Sequence, residues 1–252
     1  MPNSPLKILY QDETIVAVDK PAGLLCHRSR IDKFATEFAV QKLREQMGQE
    51  VFLVHRIDRP TSGVLLFALN STTARDLSQQ MASHEICKSY RAIVRGHPPQ
   101  RGRWEEALLE KPDRMTDHGA QKDKPPQAAI TEFETQTHWE IPFSAGKYPT
   151  SRYAEVLVKP KTGRRHQIRR HFNHMAYPLI GDTSHGDRRH NRLFREELGV
   201  SGLLLVASGL EFRHPISNAR IQVMAKPNEA FEKARRQLSL FNFGDTCDTA
   251  EV

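Results

Sequence analysis

The chain has 252 residues, 38% of them hydrophobic, and a formal net charge of +7. It is long enough for one large core or two modest lobes, and without a run of about 18 apolar residues a membrane-spanning helix is excluded. The opening Met1-Pro2-Asn3-Ser4-Pro5 lacks the charged-then-apolar pattern of a secretion signal, and Cys26, Cys87 and Cys247 are too scattered for a disulfide framework or a CxxC metal site. A cytoplasmic protein is therefore expected.

In chain order, Leu6–Tyr10 and Thr14–Val18 read as adjacent strands, broken by Asp19-Lys20-Pro21-Ala22-Gly23. Apolar residues at Ala39, Leu43 and Met47 mark one face of a helix from Thr36 to Met47, stopped by Gly48. Two short apolar runs, Val51–Val54 and Val64–Ala68, have the texture of buried strands. Asn70 or Ser71 caps a helix reaching Ala82, and a strand from Cys87 to Gly96 follows. The stretch 97–150 is rich in proline and reads as a loop-rich insertion with some β structure near Ala129–Phe133. Tyr153–Val158 is a clearer strand. Helices are expected over Arg165–Ala176 and about Arg188–Leu198, strands over Leu203–Ala207 and Ile221–Ala225, and a last helix from an Asn228 cap to Leu240. Gly244 onward reads as a disordered tail.

Strands outnumber helices without strict alternation, which predicts an α+β fold with a mixed, largely antiparallel sheet. With no repeat or linker, one catalytic domain over 1–252 is expected, its core spanning about 6–240, built as two lobes around a cleft and flanked by helices. The charge is concentrated. Between Lys161 and Arg195 nine cations (Lys161, Arg164, Arg165, Arg169, Arg170, Arg188, Arg189, Arg192, Arg195) oppose only Asp182 and Asp187. An arginine-rich patch of one sign suits a phosphate backbone, because each guanidinium offers a planar fork of donors. The cleft should be basic and the partner a nucleic acid.

Between the two apolar runs lies His55-Arg56-Ile57-Asp58-Arg59-Pro60-Thr61-Ser62-Gly63. Asp58 is its only acid, and flanking cations favour the charged form of a carboxylate. Pro60 and Gly63 restrict the backbone around it. By itself this pattern also fits an ordinary turn residue in a surface ion pair. The full string HRIDRPTSGVLLFA, however, resembles the catalytic signature of the RluA-type pseudouridine synthases, with Ile57 for leucine as the single departure. Asp19-Lys20-Pro21-Ala22-Gly23, Lys88-x-Tyr90-x-Ala92, Thr162-Gly163-Arg164-Arg165-His166-Gln167-Ile168-Arg169 and Tyr177-Pro178-Leu179-Ile180-Gly181-Asp182 resemble further motifs of that family, in family order.

The resemblance implies an RNA isomerase with the family's catalytic fold. Asp58 would be its catalytic aspartate, acting as nucleophile or as base, Tyr90 the tyrosine that stacks on the target base, and Arg164 the partner that keeps Asp58 charged. Arg56 would enter the RNA where a base has left. Arg59, Lys161, Arg165, Arg169, Arg170, Arg188, Arg189 and Arg192 complete the expected RNA-binding set. Flanking segments, Tyr148–Tyr153 and Gly181–Arg192, are most similar to a branch that modifies tRNA at position 65 and lacks a separate RNA-binding domain. Val206 stands where many relatives carry histidine, with packing its expected role. The resemblance implies neither cofactor nor metal, no membrane, no obligate protein partner, and a monomer. Alternatives are action on rRNA or several RNAs, or a non-catalytic RNA-binding or chaperone role. His166, His171, His174, His185 and His190 crowd one region, but the five-residue step from His166 to His171 is not a helical metal-ligand spacing.

Overall fold

Val64-Leu65-Leu66-Phe67-Ala68 has no polar face, so a strand made from it must be covered on both sides. The computed structural model, which describes residues 4–27, 37–109 and 125–241, builds the protein around that strand. Ten strands join in one sheet: β1 (Lys7–Gln11), β2 (Ile15–Lys20), β3 (Phe52–Leu53), β4 (Ser62–Ala68), β5 (Cys87–Arg95), β6 (Arg101–Glu105), β7 (Ile130–Ile141), β8 (Ser151–Pro160), β9 (Leu205–Arg213) and β10 (Arg220–Met224). The order is β1-β2-β4-β9-β5-β8-β7-β6, with β3 beside β4 and β10 beside β9. Every pairing is antiparallel except β4 with β9.

Helices α1 (Ala39–Met47), α2 (Ser71–Ala82), α3 (Gln167–His174), α4 (Arg188–Glu196) and α5 (Glu229–Leu240) cover the two faces. Their ends follow local chemistry. Asn70, Asp187 and Asn228 each accept a backbone N–H of the first turn of α2, α4 and α5, and Gly48 closes α1 at a φ of 66°. Alternate residues of β4 serve opposite cores: Val64, Leu66 and Ala68 pack with Leu77 of α2, and Leu65 and Phe67 with Ala39 and Leu43 of α1. In the other half, Ile93 and Tyr153 pack with Phe194 of α4 and Phe231 of α5, while Val94 and Val156 pack with Phe172 of α3.

Strand β9 joins the halves, sending Val206, Leu205, Ala207 and Leu210 into four different clusters. Its parallel contact with β4 is limited to Ser62 opposite Val206 and Gly63 opposite Ala207. Gly63 has a φ of +111°, and a Cβ there would lie 2.2 Å from the Ala207 carbonyl oxygen. Only glycine lets the two backbones meet at this point. The signature segment therefore ends against the strand shared by both halves.

Three expectations need correction. The segment 97–150 is not loop-rich throughout: it supplies β6 and the twelve-residue β7, the outer edge of the sheet. Strand β9 runs on to Arg213, through Ser208 and Gly209, which by composition look like a break. Val51–Val54 contributes only the two residues of β3. The tail from Gly244, the Thr36 start of the first helix and the middle of the 97–150 segment lie outside the described residues. Val206 is buried in the core, in line with a packing role.

Candidate active site

The signature residues run as a loop between β3 and β4, and buried groups beneath hold it. Lys20, fully buried at the end of β2, donates from Nζ to the carbonyls of Pro21 (2.9 Å), Leu24 (2.7 Å) and Arg59 (3.1 Å). Gly23 N–H donates to the same Arg59 carbonyl at 2.8 Å, and the Cys26 thiol to that of Ile57 at 3.3 Å. Burial pushes the Lys20 ammonium down to about 8, against the pull of Cys26 and Asp58, with Arg59 adding to the depression. The charge is retained at neutral pH because three carbonyls replace its water.

Arg169, on α3, fixes the carboxylate. Its Nη1 donates to Asp58 Oδ2 at 3.0 Å, while Nε and Nη2 donate to Asp182 Oδ2 and Oδ1 at 2.7 and 2.8 Å. Asp182 also accepts the Ser184 and His185 N–H groups, each at 2.9 Å. Burial opposes the charge on Asp182, but Arg169 and these amides outweigh it and hold its carboxyl below the ordinary range. Arg169 in turn keeps its proton despite burial, through both carboxylates.

Two expectations are thereby corrected. Arg164 is not the partner of Asp58: its Nε donates to the Ala128 carbonyl at 3.1 Å, although it lines the same cavity. Arg169 is not a surface phosphate contact, since it is 4% exposed and engaged on three sides. The motif offers three arginines, and only the one a helical turn into α3 points inward at Asp58. The arginines adjacent to Asp58 in sequence are exposed, and Arg59 Nε donates to the Gly23 carbonyl at 3.0 Å.

Asp58, Tyr90, Arg164, His166 and Arg169 line one cavity of about 740 Å³. Tyr90 reaches it from β5, where its neighbour Arg91 pairs with Val206 of β9 and Tyr90 itself with Val158 of β8. Burial, with the charge of Asp58 adding to it, pushes the phenol far above its usual range, so Tyr90 is neutral. Leu205 supplies an apolar wall. The cavity thus combines an apolar wall from Tyr90, Ile168 and Leu205 with one carboxyl group, Asp58, and the cationic side chains of Arg56, Lys88, Arg164 and Arg169.

Sequence reasoning missed four lining or supporting groups: Lys20, His55, Asp182 and His166 in any role but metal ligation. His55 Nε2 accepts the Leu66 N–H at 3.2 Å, and burial, helped by Lys88, pulls it down to about 4. The histidines otherwise disperse: His171 meets Thr131, His174 meets Glu106 and His190 meets Tyr153. Among the described residues no three metal-ligating side chains gather. Arg56 is exposed at the cavity rim, and Arg165, Arg188, Arg189 and Arg192 are exposed. Lys161 pairs with Glu132 at 3.0 Å, and Arg170 Nη1 donates to the Leu109 carbonyl at 3.0 Å.

A mixed sheet presenting a carboxylate-guanidinium pair in one cavity with a tyrosine defines the class. The family model described as RNA pseudouridylate synthase matches residues 14–174, and the chain belongs to that family of RNA-modifying isomerases. The chain is 48% identical over 228 residues to tRNA pseudouridine synthase C of Vibrio parahaemolyticus, covering 90% of this chain and 93% of the relative. It is 44% identical over 237 residues to tRNA pseudouridine synthase C of Haemophilus influenzae, covering 94% and 99%. Among solved structures, human RNA pseudouridylate synthase domain containing 1 is 26% identical with a TM-score of 0.66, over 90% of this chain and 86% of the other. The fold is also that of human RNA pseudouridylate synthase domain containing 4, at 22% identity and a TM-score of 0.70, over 92% and 93%.

Proposed function

We propose that this chain converts a uridine of tRNA to pseudouridine, at position 65, with Asp58 as the catalytic carboxylate. The observation that carries the proposal is the Arg169–Asp58 pair inside a cavity walled by Tyr90 and Leu205. The similarity to curated tRNA pseudouridine synthase C proteins supports the choice of tRNA.

The target nucleotide first leaves its helix, since the glycosidic bond is out of reach inside a stack, at a cost of a few kcal/mol. Stacking on an aromatic ring returns about 1–3 kcal/mol per base, which is the work assigned to Tyr90. Asp58 then acts at the sugar, as nucleophile on C1′ or as base toward the 2′ proton, and the freed uracil turns over and rejoins through C5. The isomerisation is redox-neutral and conserves all atoms, so it needs neither an energy source nor a redox cofactor. Arg169 holds the Asp58 carboxyl group in a fixed posture.

Arg56 at the rim would occupy the gap left by the flipped base. Arg164, Arg165, Arg188, Arg189 and Arg192 would contact phosphates, and the enzyme would act as a monomer in the cytoplasm. Mapping pseudouridine in all stable RNAs from cells carrying the wild-type gene or Asp58→Ala tests this reading. Loss confined to position 65 of tRNA is expected. Loss at rRNA sites instead would reassign the substrate, and an unchanged map would leave the chain an RNA-binding protein without turnover.

A further inference from the structure

Asp58 uses one oxygen, Oδ2, for Arg169, and its other oxygen, Oδ1, faces His166 Nε2 across 3.9 Å. That gap is too long for a hydrogen bond, and it leaves both groups facing the same part of the cavity, where one reacting atom could lie about 3 Å from each. The far nitrogen of the same imidazole, Nδ1, lies 3.0 Å from His185 Nε2. His166 precedes α3 with a left-handed backbone, φ 54°, a conformation in which histidine, like asparagine and aspartate, is enriched among residues other than glycine. Its side chain makes no cap bond there. A histidine without a capping duty, lining the cavity and within hydrogen-bond reach of a second imidazole, has the arrangement of a base aligned by a second group.

The proposed reaction leaves a proton to be removed. Once C1′ of the sugar is bonded to C5 of the uracil, C5 still carries its hydrogen. The C5–H bond must break, its electron pair returning to the ring, and N1, released from the sugar, must gain a proton from solvent. One proton leaves and one arrives, so the balance closes without a co-reactant. Resting on the function proposed above, we infer that His166 is the acceptor of the C5 proton and that His185 orients it by accepting the His166 Nδ1–H, leaving Nε2 unprotonated toward the base.

Three other titratable groups of the cavity, His55, Lys88 and Tyr90, suit this step less well. The lone pair of His55 Nε2 is taken by the Leu66 N–H, and Lys88 donates to the Thr162 carbonyl at 3.2 Å. Tyr90 is a neutral phenol held above its usual range by burial and by Asp58. Burial brings His166 down to about 4, against Asp58 and together with Arg169, Arg165 and His185, so its imidazole is neutral at physiological pH. A neutral imidazole has room for a proton, and the charge of Asp58 facing it works against the depression caused by burial.

The test is single-turnover conversion of a tRNA transcript containing either ordinary uridine or uridine deuterated at C5, by the full chain and by two variants. Asparagine tolerates the left-handed backbone, so His166→Asn should fold and bind RNA as the wild type does, but it cannot accept the proton. The expected result is a rate about 100-fold lower, within the range for loss of a general base. A deuterium isotope effect should appear in that variant and be absent from the wild type. His185→Gln, which keeps an acceptor for Nδ1–H, should show a smaller rate loss and the same new isotope effect. An unchanged rate for His166→Asn, or a slower rate with no isotope effect, would overturn the assignment. Failure of the wild-type protein to convert the transcript would instead count against the function itself.

Discussion

Asp182 grips Arg169 through two parallel hydrogen bonds, 2.7 and 2.8 Å long, and so aims the remaining guanidinium nitrogen at Asp58. The arrangement needs the arginine fork. A lysine ammonium has three donors but no planar fork, so it cannot make two parallel bonds to one carboxylate from separate nitrogens while holding a third nitrogen toward another.

Arg169→Lys should therefore lower kcat by about 100-fold, the size of effect found on removing one preorganised charge contact. Arg164→Gln, which removes a cavity-lining cation without touching Asp58, should leave kcat much closer to the wild-type value and act mainly on RNA affinity. Steady-state kinetics on a tRNA transcript distinguish the two. Equal kcat losses would restore Arg164 to the place the sequence suggested.

The Asp182–Arg169 pair also makes a prediction about acid stability. The carboxyl of Asp182 is held below its ordinary range in the folded protein, so in acid the unfolded chain binds the proton more readily. The stabilisation is full above the unfolded carboxylate value, about 3.9, and is lost as pH falls through the lower folded value. Asp182→Asn should cost about 3–5 kcal/mol at neutral pH, as expected on breaking a buried ion pair. The gap in Tm between variant and wild type should narrow below about pH 4. A gap independent of pH would mean that the charge of Asp182 is not what stabilises.

Much of this was legible in the residues. The chemistry-bearing strings and their order pointed to Asp58 and Tyr90, which the fold brings to one cavity, and short-range signals such as the Asn70 and Asn228 caps located helix starts well. What failed was long-range. Choosing among Arg164, Arg165 and Arg169 requires knowing which way α3 faces, and Asp182, which settles it, lies thirteen residues further along a loop. Strand β7 was underestimated because its buried face carries Thr131 and Thr135, polar letters whose hydroxyls are satisfied by Gln167 and by the Pro99 carbonyl. Lys20 looked like part of a turn, and only the fold brings three carbonyls around it.

Tyr90 should matter for its ring more than for its hydroxyl. Tyr90→Phe keeps the stacking surface and should retain most activity, with a pH-rate profile free of any phenol ionisation. Tyr90→Ala should lose about 1–3 kcal/mol in productive binding of the flipped base, a 5- to 150-fold drop in kcat/KM. Similar losses in both variants would point to the hydroxyl instead.

The exposed cations of α4 give a prediction in salt. Replacing Arg188, Arg189 and Arg192 with Gln should weaken tRNA binding and reduce the slope of log K against log salt by about 2, since up to three phosphate contacts are lost. Fluorescence anisotropy across a salt series measures this directly. An unchanged slope would put the RNA interface on another face.

The central claim is that Asp58, fixed by Arg169, carries out the isomerisation. Its most direct measurement is the formation of pseudouridine in a tRNA transcript by purified Asp58→Asn protein, alongside its affinity for the same RNA. The account predicts no detectable pseudouridine with affinity close to wild type. Wild-type amounts of product from that variant would contradict it.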